Sequence, residues 1–132
     1  MTLSPSLSNY STILVVDINS AAANQLAAQL RHSGFLVDVA VSAQAAHLEV
    51  RAKHYDTLVT VVDLNQSGDV YLLKDLRKSS QRSWIIVISS APCTHALQIV
   101  FRCGADSLLS APFSIEELTF RLSALSIRSR PP

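Results

Sequence analysis

At 132 residues the chain can bury one core of its own, so neither disulfides nor a structural metal is needed to hold it together. Hydrophobic residues make up 48% and the formal net charge is +1, which leaves no global field to gather nucleic acid or an acidic membrane. Cys93 and Cys103 stand ten apart with no CxxC or ligand cluster around them and read as small apolar filler rather than a redox pair or a metal site.

In chain order, residues 1 to 11 are rich in Ser, carry one Pro and show no periodicity, so they are expected to form a disordered leader. ILVV at 13 to 16 is a short continuous apolar run, the pattern of a strand covered on both faces. The Ala-rich segment from Ser20 to Ser33 has helical spacing; Asn19 or Ser20 can cap its start, and Gly34 can end it. FLVDVAV at 35 to 41 predicts a second strand and residues 43 to 53 a second helix. TLVTVV at 57 to 62 and a helix over about 70 to 79 make the third pair. WIIVI at 84 to 88 and a helix over about 94 to 103, stopped by Gly104, make the fourth.

Leu108 and Leu109 give a weak fifth strand. Ser114 with Glu117 three residues later forms a capping box, Phe113 and Leu118 can staple it, and Leu118, Leu122 and Leu125 supply the inward stripe of the last helix. Residues 127 to 132, closed by two prolines, read as a tail or the start of a linker. Strict alternation of strands and helices predicts an α/β fold: a five-stranded parallel doubly wound sheet in three layers, αβα, over residues 12 to 126. Functional residues of such a sheet gather at its carboxyl edge. No apolar stretch is long enough to span a bilayer and MTLSPSLSNYS lacks the layout of a secretory signal, so a cytoplasmic protein with no membrane partner is expected.

ILVVD at 13 to 17, YDTLV at 55 to 59, LLKDLR at 72 to 77, IIVISSA at 85 to 91 and GADSLLSAPFSIEELTFRLSAL at 104 to 125 together resemble the CheY-like receiver domains of two-component response regulators. The last of these segments is most similar to receivers attached to OmpR-type winged-helix transcription regulators. The resemblance implies a pocket with an acidic pair after strand 1 for Mg²⁺, an acceptor Asp ending strand 3, a Ser or Thr after strand 4, and a Lys before Pro-Phe. The chemistry needs them because a phosphoryl group and a carboxylate repel until cations neutralise both.

Several of those charges are missing. The acidic pair is Asp17-Ile18, with Ile18 expected to be partly buried, and Ala111 stands where the Lys should be. Ser90 fits the hydroxyl position, and Leu108 replaces the aromatic that reports phosphorylation. A gapless alignment puts Val61 at the acceptor position; taking Asp63 as acceptor instead requires a strand two residues longer. On either alignment, Asp17 and Asp63 are at most two carboxylates, so Mg²⁺ should bind weakly or not at all and no other cofactor is implied.

The reading that follows is a degenerate, non-enzymatic pseudo-receiver acting through a protein partner or a second copy of itself. Asp106, Glu117 and Arg121 fit the positions of the family's dimer face. DNA would be reached only through an output domain outside this chain. The alternative is a working phosphoacceptor that uses Asp63 and takes phosphate from a histidine kinase. A nucleotide- or flavin-binding protein would need a glycine-rich phosphate loop, and VVDINSAAA has no glycine. Lys74, Arg77, Lys78 and Arg82 gather near the third helix as a solvated face or a site for an acidic partner. His32, His47, His54 and His95 show no ligand spacing.

Overall fold

The computed structural model describes residues 11–126; the expected leader, but for Ser11, and the tail from 127 onward lie outside the described residues. Ser11 itself is tied down, its carbonyl accepting the Leu36 N–H at 3.0 Å. Five strands, β1 (Thr12–Val16), β2 (Leu36–Ala40), β3 (Thr57–Val62), β4 (Trp84–Ser89) and β5 (Ser107–Ser110), alternate with helices α1 (Ser20–His32), α2 (Ala43–Ala52), α3 (Ser67–Ser79), α4 (Ala96–Arg102) and α5 (Ile115–Ser126). All strands pair in parallel in the order β2-β1-β3-β4-β5, the doubly wound arrangement expected.

Alternation along the strands sends side chains to two cores. Leu14, Val16, Leu58, Ile85 and Val87 meet Ala46 and Val50 of α2, Leu73 and Leu76 of α3, and Val100 of α4. Ile13, Val15, Val59, Ile86 and Ile88 meet Ala23, Leu26, Ala27 and Leu30 of α1 and Leu118, Leu122 and Leu125 of α5. Because both faces are covered, the central strands β1, β3 and β4 read as near-continuous apolar runs.

Helix ends follow the local chemistry. The Asn19 side chain accepts the Ala22 N–H at the start of α1, and the Ser114 Oγ accepts the Glu117 N–H at the start of α5, each at 3.0 Å. α1 and α4 both end in a paired turn: Gly34 N–H to Arg31 with Phe35 N–H to Leu30, and Gly104 N–H to Phe101 with Ala105 N–H to Val100. Gly104 is needed twice over, for its φ of +89° and because a Cβ there would lie 2.7 Å from the Arg77 Cγ.

That contact belongs to a knot at the amino edge of the sheet. Arg77 donates to the carbonyls of Gly104 (2.8 Å) and Ser83 (2.8 Å) and pairs with the Asp106 carboxylate at 2.8 Å. The same Asp106 oxygen accepts the Ile85 N–H at 2.9 Å. Arg77 is therefore drawn inward to lock α3, β4 and β5, correcting its expected place on an open basic face.

Among the described residues one buried side-chain group is left unsatisfied: Thr60, at the centre of β3 and 0% exposed, has no hydrogen-bond partner for its Oγ1. A valine fills the same volume without the desolvated hydroxyl. Thr60→Val should therefore stabilise the domain by about 1 kcal/mol in a denaturant titration; a loss of stability would show that the hydroxyl is bonded after all.

Candidate functional site

Parallel register lines up the carboxyl ends of the strands, pairing Val16 with both Ala40 and Thr60, Val62 with Ser89, and Ser89 with Ser110. The residues that follow the five strands are thus Asp17, Val41, Asp63, Ser90 and Ala111, and they share one edge. Four of these, Asp17, Asp63, Ser90 and Ala111, are candidates taken from the sequence. Val61 lies one register step beyond the Val16–Thr60 pair, beside Asp17, and packs with the α1 and α5 core; Asp63 sits two residues further on, past the end of the strand.

Asp17 is the buried acid of the edge, 9% exposed. Its Oδ1 accepts the Asn19 N–H at 3.0 Å, and burial pushes its carboxyl above the ordinary value, with the Asn19 bond opposing in part. Ile18 contradicts the expectation of partial burial: it is 79% exposed, because the turn into α1 points it away from the sheet. Ala111 is exposed and joined to Pro112 by a cis peptide bond, its N–H continuing the ladder to the Ser89 carbonyl at 2.9 Å. Ser90 is exposed and its Oγ donates to the Val62 carbonyl at 3.1 Å, whereas its neighbour Ser89 is buried with its Oγ on the Ala91 carbonyl.

Asp63 is solvated and internally bonded. Its Oδ1 accepts both the Asn65 N–H (3.0 Å) and the Asn65 side-chain amide (2.9 Å), and these bonds hold its carboxyl below the ordinary value. Its own N–H donates to the Asp69 carboxylate of α3 at 2.8 Å. The Asn65 amide also donates to the Pro92 carbonyl at 2.9 Å, tying the β3–α3 loop to the β4–α4 loop. Asn65 and Asp69 were not singled out from the sequence; the Asp-x-Asn spacing after strand 3, a turn-forming pattern, was the available signal.

This donor set fits a divalent cation poorly. A magnesium ion needs a near-octahedral oxygen shell, yet the carboxylates of Asp17, Asp63 and Asp69 each have an oxygen occupied by main-chain or amide donors. Among the described residues no group of three or more His, Cys, Asp or Glu side chains could hold a metal.

The expected dimer-face residues converge elsewhere. Asp106, Ser107, Glu117, Phe120, Arg121, Ala124 and Leu125 line a shallow groove of about 440 Å³ along β5 and α5. Asp106 is committed to Arg77 and the Ile85 N–H, and Arg121 donates to the Ser107 Oγ at 2.6 Å. Phe120 stands out of this face, 74% exposed, and Glu117 is exposed beside it.

Comparison with known proteins agrees with this architecture. The sequence pattern of the response regulator receiver domain matches residues 13–123. The chain is 27% identical over 118 residues to a probable transcriptional regulatory protein, TcrX, of Mycobacterium tuberculosis, covering 89% of this chain and 50% of that protein. It is 29% identical to the response regulator MprA of Mycobacterium avium, covering 90% of this chain and 52% of MprA. The chain thus spans about half the length of these curated relatives. Among solved structures, a Francisella response regulator receiver domain superposes with a TM-score of 0.79 at 27% identity over 89% of this chain and 98% of that one. A CheY-like receiver from Methanospirillum hungatei superposes with a TM-score of 0.80 at 17% identity, covering 88% and 93% of the two chains.

Because burial raises the Asp17 carboxyl in the folded chain, the folded state holds that proton to higher pH than the unfolded one, and the residue's contribution to stability falls as pH rises past the ordinary carboxylate value. Asp17→Asn removes the charge and keeps an oxygen for the Asn19 N–H. It should melt higher than the wild type at about pH 7 and equally at about pH 3, where the carboxyl is protonated in both states. A lower melt at neutral pH would show the carboxylate to be stabilised by a cation at this edge.

Proposed function

The chain belongs to the response regulator receiver domain family, and on that premise we propose that it is a pseudo-receiver, working through protein contacts without aspartyl phosphorylation. The observation that carries this reading is the chemistry of the carboxyl edge. Ala111 puts no ammonium before Pro112, Ile18 puts no second acid beside Asp17, and the carboxylates of Asp17, Asp63 and Asp69 take donors from the chain itself. Phosphoryl transfer to a carboxylate depends on cations placed where negative charge accumulates. At this edge the residues offer amides and an apolar rim.

The relatives' printed names, transcriptional regulatory protein and response regulator, and the half-length match support a regulatory half of a longer transcription regulator, with DNA contacted by an output domain and a histidine kinase as a family partner. A cytoplasmic location goes with that role, and among the described residues no helix is long and apolar enough to cross a membrane. The output surface on this reading is the groove along β5 and α5, used by a second copy. Phe120 supplies the apolar anchor and Glu117 and Arg121 the polar rim, the distribution of a small protein interface.

A second reading, a working acceptor at Asp63, has one observation in its favour: Asp63 directly follows β3 at the shared edge and stays ionised to low pH. Sedimentation with and without acetyl phosphate and Mg²⁺ separates the two. The pseudo-receiver should associate equally in both conditions, and Phe120→Glu should weaken association about tenfold or more, the loss expected for removing an anchor side chain. Association that strengthens with acetyl phosphate would establish the phosphoacceptor reading instead.

A further inference from the structure

We infer that the amino edge of the sheet carries a further protein-binding site, a basic groove between the ends of α2 and α3 that takes an acidic, carboxylate-rich segment of a partner protein. The groove lies at the opposite end of the strands from Asp17 and Asp63, so the inference stands apart from any reading of the carboxyl edge.

Strand register brings its two walls together. Thr57 pairs with Trp84, so the connection from α2 into β3 runs beside the connection from α3 into β4. Two bonds fasten them: the Ser83 Oγ donates to the Tyr55 carbonyl at 2.5 Å, and the Trp84 N–H donates to the Asp56 carbonyl at 2.9 Å. Alongside them opens a groove of about 340 Å³, lined by Arg51, Lys53 and His54 on one wall and by Ser79, Gln81 and Arg82 on the other.

What the groove offers a ligand is donors. Among the described residues no carboxylate lines it. The main-chain acceptors at its α3 wall are already taken, because Arg77 Nη1 donates to the carbonyls of Ser80 and Gln81 at 3.2 Å each and of Ser83 at 2.8 Å. The basic residues near the third helix thus divide: Arg77 is enclosed, while Arg82 joins Arg51 from the neighbouring helix. Lys53 is held by Asp38 at 2.7 Å and His54 lies 3.7 Å from Asp56. Arg51 and Arg82 are exposed and, among the described residues, make no ion pair. Arg51 stands in the last turn of α2, where the helix dipole favours a cation; Arg82 lies beyond the end of α3, where that account no longer reaches. Two guanidiniums in one groove without a counter-charge are relieved by carboxylates, which they bind through paired N–H donors.

The occupant comes from another protein. The groove is shallow and polar, unlike the enclosed apolar pockets that hold small molecules. Among the described residues no aromatic ring lines it for a base to stack on, and a net charge of +1 gives no field to gather nucleic acid. Residues 1–10 and 127–132 contain no Asp or Glu, so neither end of this sequence supplies an acid to fill it.

The test is binding of a fluorescein-labelled octaglutamate peptide, read by anisotropy at about 50 mM salt, where exposed charges are little screened. The full chain is compared with Arg51→Gln/Arg82→Gln and with a control pair, Lys74→Gln/Arg102→Gln, which removes the same two charges from exposed positions outside the groove. All four side chains are exposed, so neither pair should unfold the domain. The groove pair should weaken binding about fivefold or more and the control pair less than about twofold, the difference expected when two charge contacts are lost at a defined place. Equal losses from the two pairs would reduce the effect to net charge, and absent binding, or binding that the groove pair leaves intact, would overturn the proposal. Tighter, groove-dependent binding of an oligothymidylate would assign the groove to nucleic acid. Groove-dependent self-association in sedimentation would assign it to a second copy, whose Glu116 and Glu117 are exposed. Either of these last results also overturns the acidic-partner assignment.

Discussion

An ionised carboxylate at the end of a parallel strand has to be given donors or cations, because its neighbours are apolar and the strand ladder leaves it none to spare. In this chain the donors come from the turns that follow the strands. Asn19 donates to Asp17 on the way into α1 and offsets part of its burial, and Asn65 donates twice to Asp63 on the way into α3. The same bonds that relieve the acids also shape the loops, so the electrostatic problem and the loop geometry are solved together. At Ala111 no cation stands at this edge, so the part of the Asp17 burial cost that the Asn19 bond does not offset is left standing.

The opposite edge of the sheet is organised by the converse arrangement, a cation enclosed by acceptors. Arg77 gathers the carbonyls of Gly104, Ser80, Gln81 and Ser83 and the carboxylate of Asp106. With Gly104 excluded from carrying a side chain by that same arginine, α3, the end of α4 and the start of β5 are tied to one guanidinium. Asp106 is thereby a structural member, and any association through the β5–α5 groove has to use the residues around it.

Much of the fold is legible in the sequence because burial on both faces writes β1, β3 and β4 as apolar runs, and capping side chains or a glycine mark the starts of α1, α2 and α5 and the ends of α1 and α4. The helix boundaries that differ do so for local reasons. α3 begins at Ser67 rather than near residue 70, with Asp69 placed in its first turn. α4 begins at Ala96 because His95 is spent on a left-handed turn. Asp17, Asp63, Ser90 and Ala111 were within reach of sequence reasoning because each directly follows a strand. Ile18 is exposed rather than partly buried, since a position beside a buried acid need not point into the sheet. The Asn65–Pro92 bridge and the Arg77 knot join residues 27 to 29 apart in the chain, across loops whose approach only the folded sheet determines.

The central claim, that the edge acids are satisfied internally and build no phosphoryl chemistry, is tested most directly by a ¹H–¹⁵N NMR titration with Mg²⁺ followed by beryllofluoride. Shifts that remain small, linear and scattered over surface acids up to about 10 mM Mg²⁺, with no further change on beryllofluoride, are the predicted result. Saturable shifts centred on Asp17 and Asp63 that disappear in Asp63→Asn would contradict it.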